Sequence, residues 1–285
     1  MVGSLAIGAA VLAGCPVFPA DNHWNLRVDR LPVLPNSDAI VRSIGAGEHM
    51  HADFGSGRYQ GAPIGIPYVT VPRGARRVPV SFDYADESDR GRYPIPRRVP
   101  IEGGRSSDGD RHVIVVDRSR CRLYELYALE RRGNGWHAGS GATWNLRRFK
   151  ARRAGWTSAD AAGLPILPLL ATPGRKPIKH AIRVTVSRSR SSYVWPARHQ
   201  ASDDNDPSLP RMGERLRLKA SVDISRFPRQ ARRVARAMKT YGVIVADNGS
   251  DWSISGVPSR KWNNDQLHAL DVLSGRDFEV VDTGR

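Results

Sequence analysis

Cysteine, lysine and long apolar runs are all scarce in this chain. Two Cys among 285 residues, with eight His scattered along the chain, make no zinc-type ligand cluster, so neither a metal site nor a cofactor is expected. No apolar stretch reaches the ~20 residues of a spanning helix, which argues against a polytopic membrane protein. Several short catalytic signatures are missing as well: G-x-S-x-G, a phosphate loop ending in Lys-Ser/Thr, H-E-x-x-H and C-x-x-C. Gly55-Ser56-Gly57 and Gly139-Ser140-Gly141 are glycine turns with no long helix after them, so nucleotide binding is not expected. Only six of the 44 basic residues are Lys. The rest are Arg, spread as pairs such as Arg76-Arg77, Arg131-Arg132 and Arg232-Arg233, and no block of like charge forms a disordered nucleic-acid arm.

What is present is an ordinary globular balance of 40% hydrophobic and 25% charged residues, carrying a formal charge of +16. Such a charge suits either a polyanion partner or the arginine bias of a GC-rich genome displayed on a wet surface. Residues 2–14 are small and apolar, too short to span a bilayer but suited to a signal-peptide core. Leu12-Ala13-Gly14-Cys15 resembles a lipobox, although no Lys or Arg precedes the apolar run. The expectation is therefore a leader over 1–14 and one β-rich domain over 15–285, secreted or held at the cell envelope. Membrane attachment would come only through a lipid on Cys15. A lipidated Cys15 cannot also pair with Cys121, so lipidation and a Cys15–Cys121 disulfide exclude each other. An otherwise isolated exported thiol at Cys121 favours the disulfide.

Period-two alternation marks strands at Val78–Tyr84, His112–Asp117, Leu123–Tyr127, His180–Val186, Leu216–Val222, Val243–Ala246 and Phe278–Val281. Seven short strands with Gly/Pro punctuation predict a mainly β fold, an antiparallel β-sandwich or jelly roll. One amphipathic helix is expected over 228–241, where Ala231, Val234, Ala235 and Met238 share a face and Gly242 follows as a C-cap. A short second helix is expected over 157–162, with Ser or Thr as its N-cap.

The segments FPADNHWN, WHAGSGATWNL, AGWTSADAAGLPI, HAIRVTV, YVWPARH and YGVIVADNGSDWSISG resemble those of a family of exported bacterial proteins of unassigned function. The resemblance covers most of the chain after the leader. It implies export and one intact domain, and supplies no catalytic residue.

Candidate chemistry falls on three constellations. Tyr193, Trp195 and His199 project from one side if their segment is extended, with Arg198 beside them, and offer a sugar-stacking platform with an imidazole. Glu125 lies on a strand face with Leu123 and Tyr127, where burial would raise it towards a general acid, and Asp247 is a second carboxylate at a turn. His180 with Arg183 suits the proton transfer and carboxylate recognition of a polysaccharide lyase, alongside His51-Ala52-Asp53 and Trp136-His137. Glu125, His180, His199 and Asp247 are thus the expected catalytic residues, with Tyr193, Trp195, Arg183 and Arg198 binding substrate. The expected function is an exported carbohydrate-active protein, a glycoside hydrolase or polysaccharide lyase on an envelope or environmental polysaccharide, with acidic chains favoured by the charge. Its alternative is a non-catalytic glycan-binding or surface-structural protein. Specific nucleic-acid binding is not expected, since no recognised module is present.

Overall fold

A computed structural model describes residues 11, 12 and 14–284. Its strands are β1 (Val11–Leu12), β2 (Cys15–Pro16), β3 (His51–Asp53), β4 (Arg58–Tyr59), β5 (Ala62–Pro63), β6 (Tyr68–Val71), β7 (Val78–Phe82), β8 (Arg92–Tyr93) and β9 (Val113–Asp117). They continue as β10 (Arg122–Tyr127), β11 (Glu130–Arg132), β12 (Gly135–Ala138), β13 (Ser140–Asn145), β14 (Ile182–Val186), β15 (Arg215–Leu218), β16 (Val243–Asn248), β17 (Ser253–Ser255) and β18 (Phe278–Val280). The α-helices are α1 (Ser37–Ile44), α2 (Arg229–Thr240) and α3 (Asn264–His268). All seven strands expected from alternation are among them, and the fold is mainly β. The leader expected over 1–14 lies largely outside the described residues.

Two main sheets and a smaller one stack around two apolar layers. The six-stranded sheet runs β18-β15-β16-β14-β17-β3, and a four-stranded sheet runs β13-β10-β9-β6. Ile114, Val116, Leu123, Ala142 and Trp144 of the second meet Ile182, Val184, Leu216 and Val245 of the first in the larger core. Val113, Val115, Tyr124 and Leu126, pointing the other way by strand alternation, pack with Val78, Val80 and Phe82 of the β11-β12-β7-β8 sheet. Hence β9 is buried along its whole length, an apolar run from Val113 to Val116 where alternation was expected, whereas β7 alternates half-buried and exposed.

The sheets are mixed. The pairs β6–β9, β7–β12, β14–β16 and β3–β17 are parallel. Parallel neighbours need long crossovers, and here β15 and α2 occupy the connection from β14 to β16. Helix α2 buries Ala231, Val234, Ala235 and Met238 as its spacing requires. Gly242 follows it at φ +75°, and a Cβ there would lie 2.4 Å from the Leu216 carbonyl oxygen, so the site demands glycine. Residues 157–162 form turns instead of a helix. The Ser158 hydroxyl donates to the carbonyls of Asp160 and Leu164 at 2.8 and 2.5 Å, diverting the backbone acceptors that a helix would use.

Cys15 and Cys121 form a buried disulfide joining residues 106 apart, with Cα atoms 5.4 Å from each other. Lipidation of Cys15 is excluded in this state. The bridge ties the N-terminal segment to the turn before β10, where Phe18 packs edge-on against Trp24 and Phe149 at 5.3 and 5.7 Å. Removing it by a paired Cys15→Ser, Cys121→Ser substitution frees a long unfolded loop. Stability should fall by up to ~4–5 kcal/mol in urea denaturation, and an unchanged midpoint would show that the bridge does not constrain the chain.

Candidate functional site

A cleft of about 780 Å³ opens between β3, the β4–β5 hairpin, the loop 102–108 and α3. Carboxylates Asp53, Glu102 and Asp108 and imidazoles His51 and His268 face it. Tyr59, 70% exposed, stands at the same cleft on β4, with the amides of Gln60 and Asn264 also in the lining. Among the described residues, no Lys or Arg lines it.

Behind the cleft lies a buried ionic network. Glu102 accepts from His112 Nδ1 at 2.5 Å, and His112 Nε2 sits 3.0 Å from the Ala159 carbonyl oxygen. Both ring nitrogens therefore face acceptors, which a neutral imidazole with one N–H cannot satisfy. Burial alone would lower His112, but the Glu102 charge and hydrogen bond outweigh it and raise the group to about 10. His112 is an imidazolium. Conversely, burial would raise Glu102, yet His112, with Arg183 beyond it, holds Glu102 below its ordinary value. Asp53 goes the other way: the protein packed around its carboxyl raises it first, and the Glu102 charge adds to that.

Arg183 anchors the next tier. Its Nε lies 2.9 Å from both Asp160 oxygens, Nη2 donates to Asp160 Oδ1 at 2.6 Å, and Nη1 donates to Ser255 Oγ at 2.9 Å. Nη2 also reaches Asp247 Oδ2 at 3.2 Å. A register shift in the β14–β16 pair sets Val184 opposite Val245 but Thr185 opposite Asp247, leaving Ala246 as an extra residue. That bulge reverses the alternation and turns Asp247 onto the Arg183 side of the sheet. Burial and the Asp160 carboxylate raise Asp247 well above its ordinary value, against the pull of Arg183. Ser255 is paired in register with Asp53, which links this tier to the cleft.

Glu102, Asp110 and His112 form one group of ligand-type atoms within 4.8 Å of one another, and His112, Asp160 and Asp247 form another. His112 is common to both groups, and its ring nitrogens face Glu102 Oε2 and the Ala159 carbonyl oxygen.

The residues expected to be functional are divided by the fold. Arg183 and Asp247 come together as described, but Arg183 is buried against Asp160 and is not a substrate-binding cation. Glu125 is 0% exposed and lines neither cleft. It accepts from Trp144 Nε1 at 3.0 Å and from the backbone N–H groups of Ile166 and Leu167 at 3.0 and 2.8 Å. His180 lies in a second cleft, its Nδ1–H donating to the Ala181 carbonyl at 2.8 Å, and burial pushes it down to about 4. His199 Nδ1–H donates to the Ala161 carbonyl at 2.9 Å, and its Nε2 lies 3.7 Å from Glu87. Trp195 donates through Nε1 to His23 and packs on Phe149, with Arg198 over its ring at 5.7 Å. Tyr193 bridges to Met212 and packs against the main core. The 193–199 segment is thus tied into the body of the protein, and it contributes nothing to the carboxylate cleft.

A separate Ser–His–Asp chain occurs on the small sheet. His137 Nδ1 meets Ser81 Oγ and Nε2 meets Asp83, both at 2.9 Å. None of the three lines either cleft.

Glu102, His112 and Asp160 escaped the sequence reading. Only Asp160 left a signal there, as the one charge in the otherwise small and apolar run from Ala159 to Leu170. A buried charge of that kind demands a partner.

Glu125 yields a pH test. Burial raises it from 4.5 to about 7, opposed by the Leu167 and Ile166 N–H groups. A raised folded pKa means that its contribution is complete below about pH 4.5 and lost as pH climbs through about 7. Relative to Glu125→Gln, the parent should lose about 2.5 kcal/mol between pH 5 and 8 in denaturant titrations. Parallel pH dependences for the two proteins would refute the shift. No family model matches this chain, and no match to it was found among curated proteins or solved structures.

Proposed function

We propose that the protein is an exported carbohydrate-active hydrolase that cleaves a neutral glycan by acid–base chemistry at Asp53 and Glu102. The observation that carries this reading is the pair itself: two carboxyl groups on one open cleft, pushed in opposite directions by their surroundings. Such divergence assigns roles in glycoside hydrolysis. Asp53, raised, protonates the departing glycosidic oxygen. Glu102, held ionised by His112, acts on the opposite side of the scissile bond as base or nucleophile. The exposed Tyr59 ring offers a stacking surface, and the neighbouring amides suit hydroxyl groups.

Export is supported by the apolar stretch before Cys15 and by the disulfide, which belongs in an oxidising compartment. A neutral substrate is favoured over a uronate because three carboxylates face the cleft and no Lys or Arg does. The lyase version needs a cation against the substrate carboxylate, and Arg183 is already committed to Asp160.

Incubation with a panel of neutral glycans and uronans, assayed for reducing ends and for unsaturated products, tests the reading. Neutral glycans should release reducing ends, and Asp53→Asn and Glu102→Gln should each lower turnover by roughly 10²–10⁴-fold. Activity should fall on the acid side as Glu102 takes up a proton and on the basic side as Asp53 loses one. Unsaturated products from uronans would establish a lyase instead. Binding without any product would leave a glycan-binding protein.

A further inference from the structure

The second cleft, about 1000 Å³, has the opposite character. Arg175, Lys176, Lys179, Arg233 and Lys261 line it, and no Asp or Glu does. Three of the chain's six lysines therefore converge on one hollow. None of these five cations has an ion-pair partner among the described residues. Arginine bias explains scattered surface guanidiniums, but it does not explain clustered lysines.

Arg233 is the fixed member of the set. Its Nε donates to the Lys176 carbonyl at 2.5 Å and its Nη2 to the Thr172 carbonyl at 2.6 Å, while its guanidinium lies 5.8 Å from the Trp262 ring. Nη1 has no hydrogen-bond partner. These bonds pin the 172–176 loop to α2 and bring its Lys and Arg side chains to the cleft. The guanidinium itself is neutralised by no carboxylate. His180 adds no charge, because burial pushes its imidazole down to about 4. Like charges gathered in a concave, low-dielectric hollow focus a positive field, and that field is relieved only by a ligand with several negative charges.

We propose that this cleft binds an acidic oligosaccharide through its carboxylates. A cleft of this size, about as open to solvent as the first, holds a short oligomer. The half-buried Tyr68 ring and the Asn25 and Ser259 side chains in the same wall supply contacts suited to sugar faces and hydroxyls. The proposal goes beyond the hydrolase reading and does not depend on it, since the two clefts share no lining residue.

Calorimetric titration of the full chain with trigalacturonate, maltotriose and a short single-stranded DNA decides the matter. Trigalacturonate should bind saturably at one site, weaken with added salt, and weaken at least tenfold in both Arg233→Gln and the double variant Lys176→Gln, Lys261→Gln. Both lysines are exposed, so the double variant keeps the test valid if Arg233→Gln does not fold. Maltotriose should not bind, and Asp53→Asn should bind trigalacturonate as the parent does. The proposal is overturned if trigalacturonate gives no heat, if the lysine variant binds it undiminished, or if the DNA binds more tightly through the same residues.

Discussion

A guanidinium in the middle of a buried strand is the constraint around which this protein is arranged. Arg183 occupies β14, all of whose residues are buried, and an unpaired cation there would cost several kcal/mol. Its neutralisation requires the 157–166 segment to fold inward as turns, so that Asp160 reaches both Nε and Nη2. The same requirement gives the β16 bulge a purpose, since only the reversed alternation brings Asp247 to Nη2. Two carboxyl groups on one guanidinium cannot both be ionised at low cost, and so Asp247 is raised well above its ordinary value. The network closes with two cations, His112 and Arg183, against Glu102 and Asp160. That balance makes its burial tolerable.

The network also sets the chemistry of the surface. Glu102 is the member that lines the cleft, and it is held below its ordinary value by an imidazolium that is itself locked between two acceptors. Asp53 belongs to no ion pair and feels chiefly burial and the Glu102 charge. One network therefore moves two carboxyl groups of the cleft apart: it stabilises the Glu102 charge, and that charge adds to the burial that raises Asp53. Glu125 shows the contrast. Its carboxylate is enclosed by Trp144 and two backbone N–H groups, which fixes the turn before Leu167 to β10 and leaves no approach for a substrate.

The strands were legible because a half-buried sheet writes its period directly into the residues: Val78, Val80 and Phe82 alternate as the structure has them. Helix α2 was legible for the same reason at a different period. Parallel pairing was not, because the alternation of one strand carries no information about its neighbour's direction. The helix expected over 157–162 failed because Ser158 satisfies local carbonyls with its own hydroxyl, a competition that helical spacing ignores. Among site residues, Arg183 and Asp247 are brought into contact, and His51-Ala52-Asp53 supplies one wall of the carboxylate cleft. Glu102 and His112 were invisible because their partnership crosses a loop of glycine and serine without any periodic mark. Trp195 misled for a different reason: its ring is useful to the fold, where it joins His23 and Phe149 around the N-terminal segment.

Two clefts of opposite sign on one highly basic chain also resolve what the net charge means. A charge of +16 spread evenly would repel cations everywhere and favour no particular anion site. A cluster of carboxylates instead occupies the β3 cleft and the network behind it, while three of the six lysines gather at the second cleft. Local field, not net charge, selects a ligand, because charges beyond a Debye length of about 8–10 Å are screened. The acidic cleft therefore keeps its own electrostatics inside a basic protein. A polymer with neutral and charged stretches would meet both surfaces, each with the part of its chain that suits it.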